Sequence, residues 1–191
     1  MSAMPTLQII VASTRPGRVG LPVADWITAH AEAHGAFEVD VVDLAELGLP
    51  LLDEPNHPRL RQYEHQHTKD WSDRVSAADA FVFVIPEYNH SYNAPLKNAV
   101  DFLHGEWAYK PAGFVSYGGI AAGTRALQAF KPVVSVLKMS PVTEAVNIPF
   151  VRQFINDDEV FVPSDSLERA ADAMLAEIAR MEAALRPLRA G

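Results

Sequence analysis

The stretch Leu7-Gln8-Ile9-Ile10-Val11-Ala12-Ser13-Thr14-Arg15-Pro16-Gly17-Arg18-Val19-Gly20 decides the fold. Apart from Gln8 its first six residues are apolar, which gives a strand-length run with little polarity on either face. The next eight are rich in hydroxyls, guanidinium groups and glycine, and a helix-length segment follows from Leu21. A strand buried on both faces that passes through a polar turn into a helix is the opening unit of a parallel sheet covered by helices on both sides.

The same unit recurs along the chain. Apolar runs at residues 7–12, 37–42, 80–85, 112–117 and 142–148 alternate with helical segments expected at 21–34, 59–78, 95–103, 124–137 and 167–185. This order predicts an α/β protein, with a five-stranded parallel sheet in a three-layer α/β/α sandwich. Pro95 suits a first helical turn, where its missing N–H costs nothing, and Ser164 or Asp165 can cap the last helix. Leu167, Ala171, Met174, Leu175, Ile178, Met181 and Leu185 recur at helical spacing and supply a packing face. Residues 49–58, with Pro50, Pro55 and Pro58, read as an irregular surface loop. A chain of 191 residues fits a single domain over residues 1–191.

Composition narrows the chemistry. With no cysteine, the chain cannot use a disulfide, a thiol nucleophile or an iron–sulfur cluster held by thiolates, so any electron transfer needs an organic cofactor. A net charge of -8 argues against a nucleic-acid groove, which needs clustered Lys and Arg. No apolar run approaches membrane-span length, and the opening residues lack a basic segment ahead of their short apolar run, so a soluble, cytoplasmic protein is expected.

Ligands of open parallel sheets sit outside the carboxyl ends of the strands, so the loops after the first, third and fourth strands carry most weight. Residues 13–20 bring hydroxyls and two arginines to a helix N-terminus, where free N–H groups and the positive dipole end favour an anion. The loop matches neither the Walker A pattern nor G-x-G-x-x-G, which favours a monophosphate ester. After the third strand, Pro86-Glu87-Tyr88-Asn89-His90-Ser91-Tyr92-Asn93-Ala94-Pro95-Leu96-Lys97-Asn98-Ala99-Val100-Asp101 can grip a flat conjugated ring. Ser116-Tyr117-Gly118-Gly119-Ile120-Ala121-Ala122-Gly123 sets glycines where backbone must approach a ligand closely.

Two other chemistries are weaker. The run Gly113-Phe114-Val115-Ser116-Tyr117-Gly118 lacks the glycine two residues before serine that a nucleophile elbow requires, and no histidine follows His104. His57, His65 and His67 occur without a metal-site pattern of cysteine or carboxylate partners and read as solvated side chains, so no metal is expected.

Taken together, Ser-Thr-Arg-x-x-Arg, Pro-Glu-Tyr-Asn-x-Ser-x-x-x-x-Leu-Lys-Asn-Ala-x-Asp and Ser-Tyr-Gly-Gly resemble the NADPH-dependent FMN reductase family of flavodoxin-like proteins, over about residues 6 to 185. The resemblance implies a flavodoxin-like fold with FMN as cofactor and NADPH or NADH as hydride donor. It places Ser13, Arg15, Arg18, Val19, Gly20 and Leu21 around the FMN phosphate. It sets Pro86, Glu87, Tyr88, Asn89 and Ser91 along the ring and ribityl chain, and Ser116, Tyr117, Gly118 and Gly119 at the pyrimidine edge. Backbone N–H groups of residues 87–89 would face the flavin N5 region, and those of Gly118 and Gly119 its N1 and O2 side.

The implied scheme is ping-pong, from nicotinamide to a small acceptor such as a free flavin, quinone, azo compound or metal oxyanion, and it obliges no side chain to act as acid or base. No catalytic residue is therefore named. A non-enzymatic electron carrier or regulator on the same fold is the alternative. Candidates for contact with the NADPH 2′-phosphate are Arg15, Arg18, Lys97 and Arg125. A homodimer, or a tetramer, is expected, with Phe102, Leu103, Trp107 and Tyr109 of segment 96–109 offering apolar surface.

Overall fold

The structure is a computed structural model that describes residues 4–189; the ends of the expected 1–191 domain lie outside the described residues. Its strands are β1 (Thr6–Val11), β2 (Glu38–Asp43), β3 (Ala80–Pro86), β4 (Pro111–Tyr117) and β5 (Ser140–Ile148). They form one 5-stranded sheet in the order β2-β1-β3-β4-β5, with every pair parallel. This is the flavodoxin-like order, and its switch point lies between β1 and β3.

Helices α1 (Gly20–His34), α2 (Leu44–Leu47), α3 (Gln66–Ala77), α4 (Ala94–Asp101), α5 (Thr124–Val136) and α6 (Asp165–Arg189) connect and cover the strands. Alternate residues of the central strands feed two cores. Ile9, Val11, Val82, Val84 and Val115 join Ile27 of α1 and Met174, Leu175 and Ile178 of α6 on one face. Ile10, Phe81, Phe83, Ile85 and Phe114 join Trp71 of α3, Leu96 of α4 and Phe130 of α5 on the other. Gly113 lets α6 lie close on β4, because a Cβ there would stand 2.6 Å from Ile178 Cδ1.

Three expectations change. The helix expected over 59–78 starts only at Gln66, because Arg61 adopts a left-handed conformation (φ 51°) that ends a short 3-10 turn at Pro58–Leu60. β2 is an edge strand with exposed and half-buried positions rather than a run buried on both faces. Phe102, Leu103 and Trp107 are not surface: each is at most 1% exposed and packed in the second core. Their segment is pinned from within, since Trp107 Nε1 donates to the Val100 carbonyl at 3.2 Å. The buried Glu106 carboxylate accepts from Tyr63 Oη and Ser72 Oγ, each at 2.8 Å.

Candidate functional site

The five strands deliver their carboxyl ends to one rim, and the polar loops singled out above meet there. The β1/α1 loop is built for an anion. Val19 caps α1 without any side-chain hydrogen bond, so the N–H groups of the first helical turn have no side-chain acceptor. Within the loop, and among the described residues, only the Arg18 N–H is bonded to backbone, to the Arg15 carbonyl at 3.1 Å. The parallel register sets Val11 beside Asp43, which brings the end of β2 to this loop. There the Arg18 guanidinium is held between the Asp43 carboxylate and the Ser13 carbonyl, the latter at 2.8 Å. Arg18 therefore braces the loop, whereas Arg15 is exposed.

Tyr117 closes the loop from the end of β4. Its ring is buried, and its hydroxyl has no hydrogen-bond partner among the described residues. Burial raises its pKa, so the hydroxyl stays protonated. It lies against Gly20, where a Cβ would stand 2.5 Å from the oxygen. An orphaned buried hydroxyl beside an open helix N-terminus fits a ligand that brings oxygen acceptors, as a phosphate ester does.

The next wall is the β3/α4 loop. Tyr88 and Ser91 exchange backbone hydrogen bonds at 2.8 and 2.9 Å, which tightens the turn through Asn89 and His90, both at positive φ. Tyr88 Oη lies 3.1 Å from Ser13 Oγ, joining this loop to the first. Glu87 turns toward α5, where its carboxylate takes Arg125 Nη1 at 3.1 Å and the Arg125 N–H at 3.2 Å. Asn93, which lies in this segment but outside the implied flavin contacts, donates from Nδ2 to the Ala12 carbonyl at 2.5 Å and pins the loop to β1.

Several of the residues expected at the site are placed away from the cleft or bonded elsewhere. Ser116 does not face the cleft: its buried hydroxyl bonds to the Ala122 carbonyl in the following turn and to Asn147 Oδ1 on β5, both at 2.8 Å. The Glu87 and Gly118 N–H groups extend the sheet, to the carbonyls of Tyr117 at 3.1 Å and Ile148 at 3.2 Å, and the Tyr88 N–H closes its own turn. Of the amides assigned to flavin, Asn89 and Gly119 alone have no partner among the described residues. Asn89 and Ser91 are also absent from the lining of the cleft. His65 and His67 do have a carboxylate neighbour, Asp53, which lies 3.0 Å from His67 Nε2.

Sequence reading also missed the wall after β5. Phe150 N–H and Val151 N–H bond to the carbonyls of Gly119 and Gly118 at 3.1 and 3.2 Å, which folds a 3-10 turn (Val151–Phe154) over the rim. The signal available in the sequence was position alone: this segment too follows the carboxyl end of a strand. The cleft between these walls holds about 130 Å³ and is lined by Ser13, Arg15, Val19, Tyr88, Tyr117 and Arg152, among others. It shares Arg152 and other lining residues with a hollow of about 310 Å³ along α1 and one of about 410 Å³ over Gly118, Gly119 and Phe150. A roomier hollow, about 480 Å³, lies at the opposite ends of β3 and β4, where Arg61 and Arg189 are already paired with acids. The switch point, rather than size, marks the ligand site in such a sheet.

The fold is that of a flavodoxin-like protein, with a cleft at its switch point whose free donors fit a phosphate-bearing ligand. Residues 5–153 match the NADPH-dependent FMN reductase family, and the chain belongs to it. It is an oxidoreductase that uses FMN and NAD(P)H, so the electron-carrier alternative falls. The chain is 39% identical over 149 residues to an NAD(P)H-dependent FMN reductase of Schizosaccharomyces pombe, covering 76% of this chain and 74% of the relative. It is 27% identical over 173 residues to an FMN-dependent NADPH-azoreductase of Staphylococcus haemolyticus, covering 89% and 91%. Among solved structures, the flavoenzyme NAD(P)H:(acceptor) oxidoreductase FerB of Paracoccus denitrificans superposes with a TM-score of 0.74 at 19% identity, over 95% of this chain and 98% of that one.

Proposed function

We propose that the protein passes reducing equivalents from NAD(P)H to a small acceptor by a ping-pong mechanism in which donor and acceptor take turns on one open face. The observation that carries this reading is the orphaned Tyr117 hydroxyl beside the uncapped start of α1, next to a hollow open to solvent. Ser13, Arg15, Val19, Gly20 and Leu21 hold the FMN phosphate, with Arg18 bracing their loop from Asp43. Pro86, Glu87 and Tyr88 flank the ring, and Tyr117, Gly118 and Gly119 approach its pyrimidine edge. FMN, when bound, supplies the reversible hydride chemistry. The chain's residues bind and orient it, donate hydrogen bonds from the free Gly119 N–H and the Tyr117 hydroxyl, and leave one face accessible.

The acceptor is a free flavin, quinone, azo compound or metal oxyanion; relatives named FMN reductase and azoreductase support the first and third. We also infer that the chain acts as one cytoplasmic domain; no helix of the described residues is long and apolar enough to cross a membrane. Ile120 (79% exposed) and Phe150 (49%) stand beside the open face and favour a homodimer, or a tetramer of such dimers, over the segment first expected to do so. Initial-rate kinetics with NADPH and riboflavin, menadione or an azo dye test the scheme. Parallel double-reciprocal lines are expected, and converging lines would reject a ping-pong order. A concentration-independent monomer mass in light scattering would remove the association.

A further inference from the structure

The carboxyl rim carries few cations, and most are spent. Arg18 is held by Asp43 and the Ser13 carbonyl. Arg125 is held by Glu87, and Lys97 lies 2.5 Å from Asp101 on its own helix. Three of the four side chains first considered for a donor phosphate are thus engaged, and the fourth, Arg15, belongs to the loop at the start of α1. Arg152 is different. It is exposed, its guanidinium makes no ion pair or hydrogen bond among the described residues, and it alone borders all three adjoining hollows.

Its backbone is fixed even though its side chain is free. The preceding Phe150 and Val151 are bonded to Gly119 and Gly118, and Gln153 N–H bonds to the Phe150 carbonyl at 2.8 Å. Phe150 is itself held at φ 45°, a conformation that a bulky residue keeps only where its surroundings enforce it. A free guanidinium on an anchored turn, at the junction of the cleft and its two neighbouring hollows, is arranged to meet an anion arriving from outside. The chain's net charge of -8 opposes such an approach, so a local cation is required.

We propose that Arg152 binds a phosphate of the nicotinamide donor and is the residue that holds the dinucleotide against the open face. The inference rests on the NAD(P)H reading above. Leu21, Pro22 and Ile155 of the outer hollow give the adenosine half an apolar wall, and Asp25 and Glu159 there leave Arg152 as its unpaired cation. Because Asp25 and Glu159 disfavour a second anion in that hollow, the pyrophosphate shared by NADPH and NADH is the expected contact.

The test is calorimetric titration of FMN-loaded protein with NADP+ and NAD+, which do not reduce the oxidised flavin, alongside separate titration of the FMN-free protein with FMN. Arg152→Gln is expected to weaken both nucleotides about tenfold, Arg152→Lys to recover part of the loss, and FMN affinity to fall far less than nucleotide affinity. Weakening of NADP+ alone would still support the proposal and would move the contact to the 2′-phosphate. Unchanged affinity for both nucleotides would overturn it, as would an equal loss of FMN affinity, which would make Arg152 part of the flavin site. Failure of the NAD(P)H reading looks different, since the unsubstituted protein would then bind neither nucleotide.

Discussion

The hydroxyl of Tyr117 lies 2.5 Å from the place where a Cβ on residue 20 would stand, so the last residue of β4 reaches the β1/α1 loop only because α1 begins with glycine. Gly20→Ala pushes either the ring or the helix aside. Overpacking of this kind costs roughly 1 to 3 kcal/mol, and FMN affinity is expected to fall at least tenfold, read by flavin fluorescence quenching. Adding Tyr117→Phe should restore stability without restoring affinity.

Tyr117→Phe alone separates folding from binding. The buried hydroxyl has no hydrogen-bond partner among the described residues, so removing it should stabilise the FMN-free protein by about 1 kcal/mol. The same change should weaken FMN binding about five- to tenfold through the lost hydrogen bond. Denaturant melts and flavin titrations would then move in opposite directions. Loss of both stability and affinity would show that the hydroxyl serves the fold instead.

Arg18 and Asp43 form a pair whose side chains are 12% and 8% exposed. Removing either leaves the other nearly buried and uncompensated, at a cost of roughly 2 to 4 kcal/mol. The double variant Arg18→Ala/Asp43→Ala should cost clearly less than the sum of the singles, with a coupling above about 1 kcal/mol. Additive losses would mean that the two do not act together.

Lys110 sits far from the site, 5% exposed, with Nζ donating to the Val75 and Ser76 carbonyls at 2.7 and 3.3 Å. Burial, with the nearby Arg189 charge, lowers its pKa from 10.5 to about 8. Between those values the unfolded chain holds more protons at this lysine than the folded one, so stability rises with pH across that window. Compared with Lys110→Met, the unsubstituted protein should gain up to about 3 kcal/mol from pH 8 to 10.5. A relative loss over the same range would contradict the assignment.

Phe102 and Trp107 hold the segment before β4 in the core. As core residues, Phe102→Ala and Trp107→Ala should each cost about 3 to 5 kcal/mol by chemical denaturation. Residues that served only an interface would leave monomer stability near its original value.

The sheet and the polar loop after β1 were legible because both rest on local patterns: apolar runs of strand length, and a polar turn running into a helix. What escaped depends on register. Arg18 meets Asp43 only because β1 and β2 pair in parallel, and nothing near residue 18 announces residue 43. Ser116 lies within a recognisable motif, but the strand's alternation turns its hydroxyl inward to Asn147. Trp107 read as surface because it stands outside a regular strand or long helix, although its indole is bonded inside the core. Arg152 carries no motif, and its importance comes from the turn that bonds its neighbours to Gly118 and Gly119.

The most direct test of the central claim is an anaerobic titration of the FMN-reconstituted protein with NADPH and, in parallel, NADH, followed by flavin absorption. The predicted result is a bound flavin that about one equivalent of at least one nicotinamide bleaches and a small acceptor recolours. Protein that retains no FMN, or bound flavin that neither nicotinamide bleaches, would contradict it.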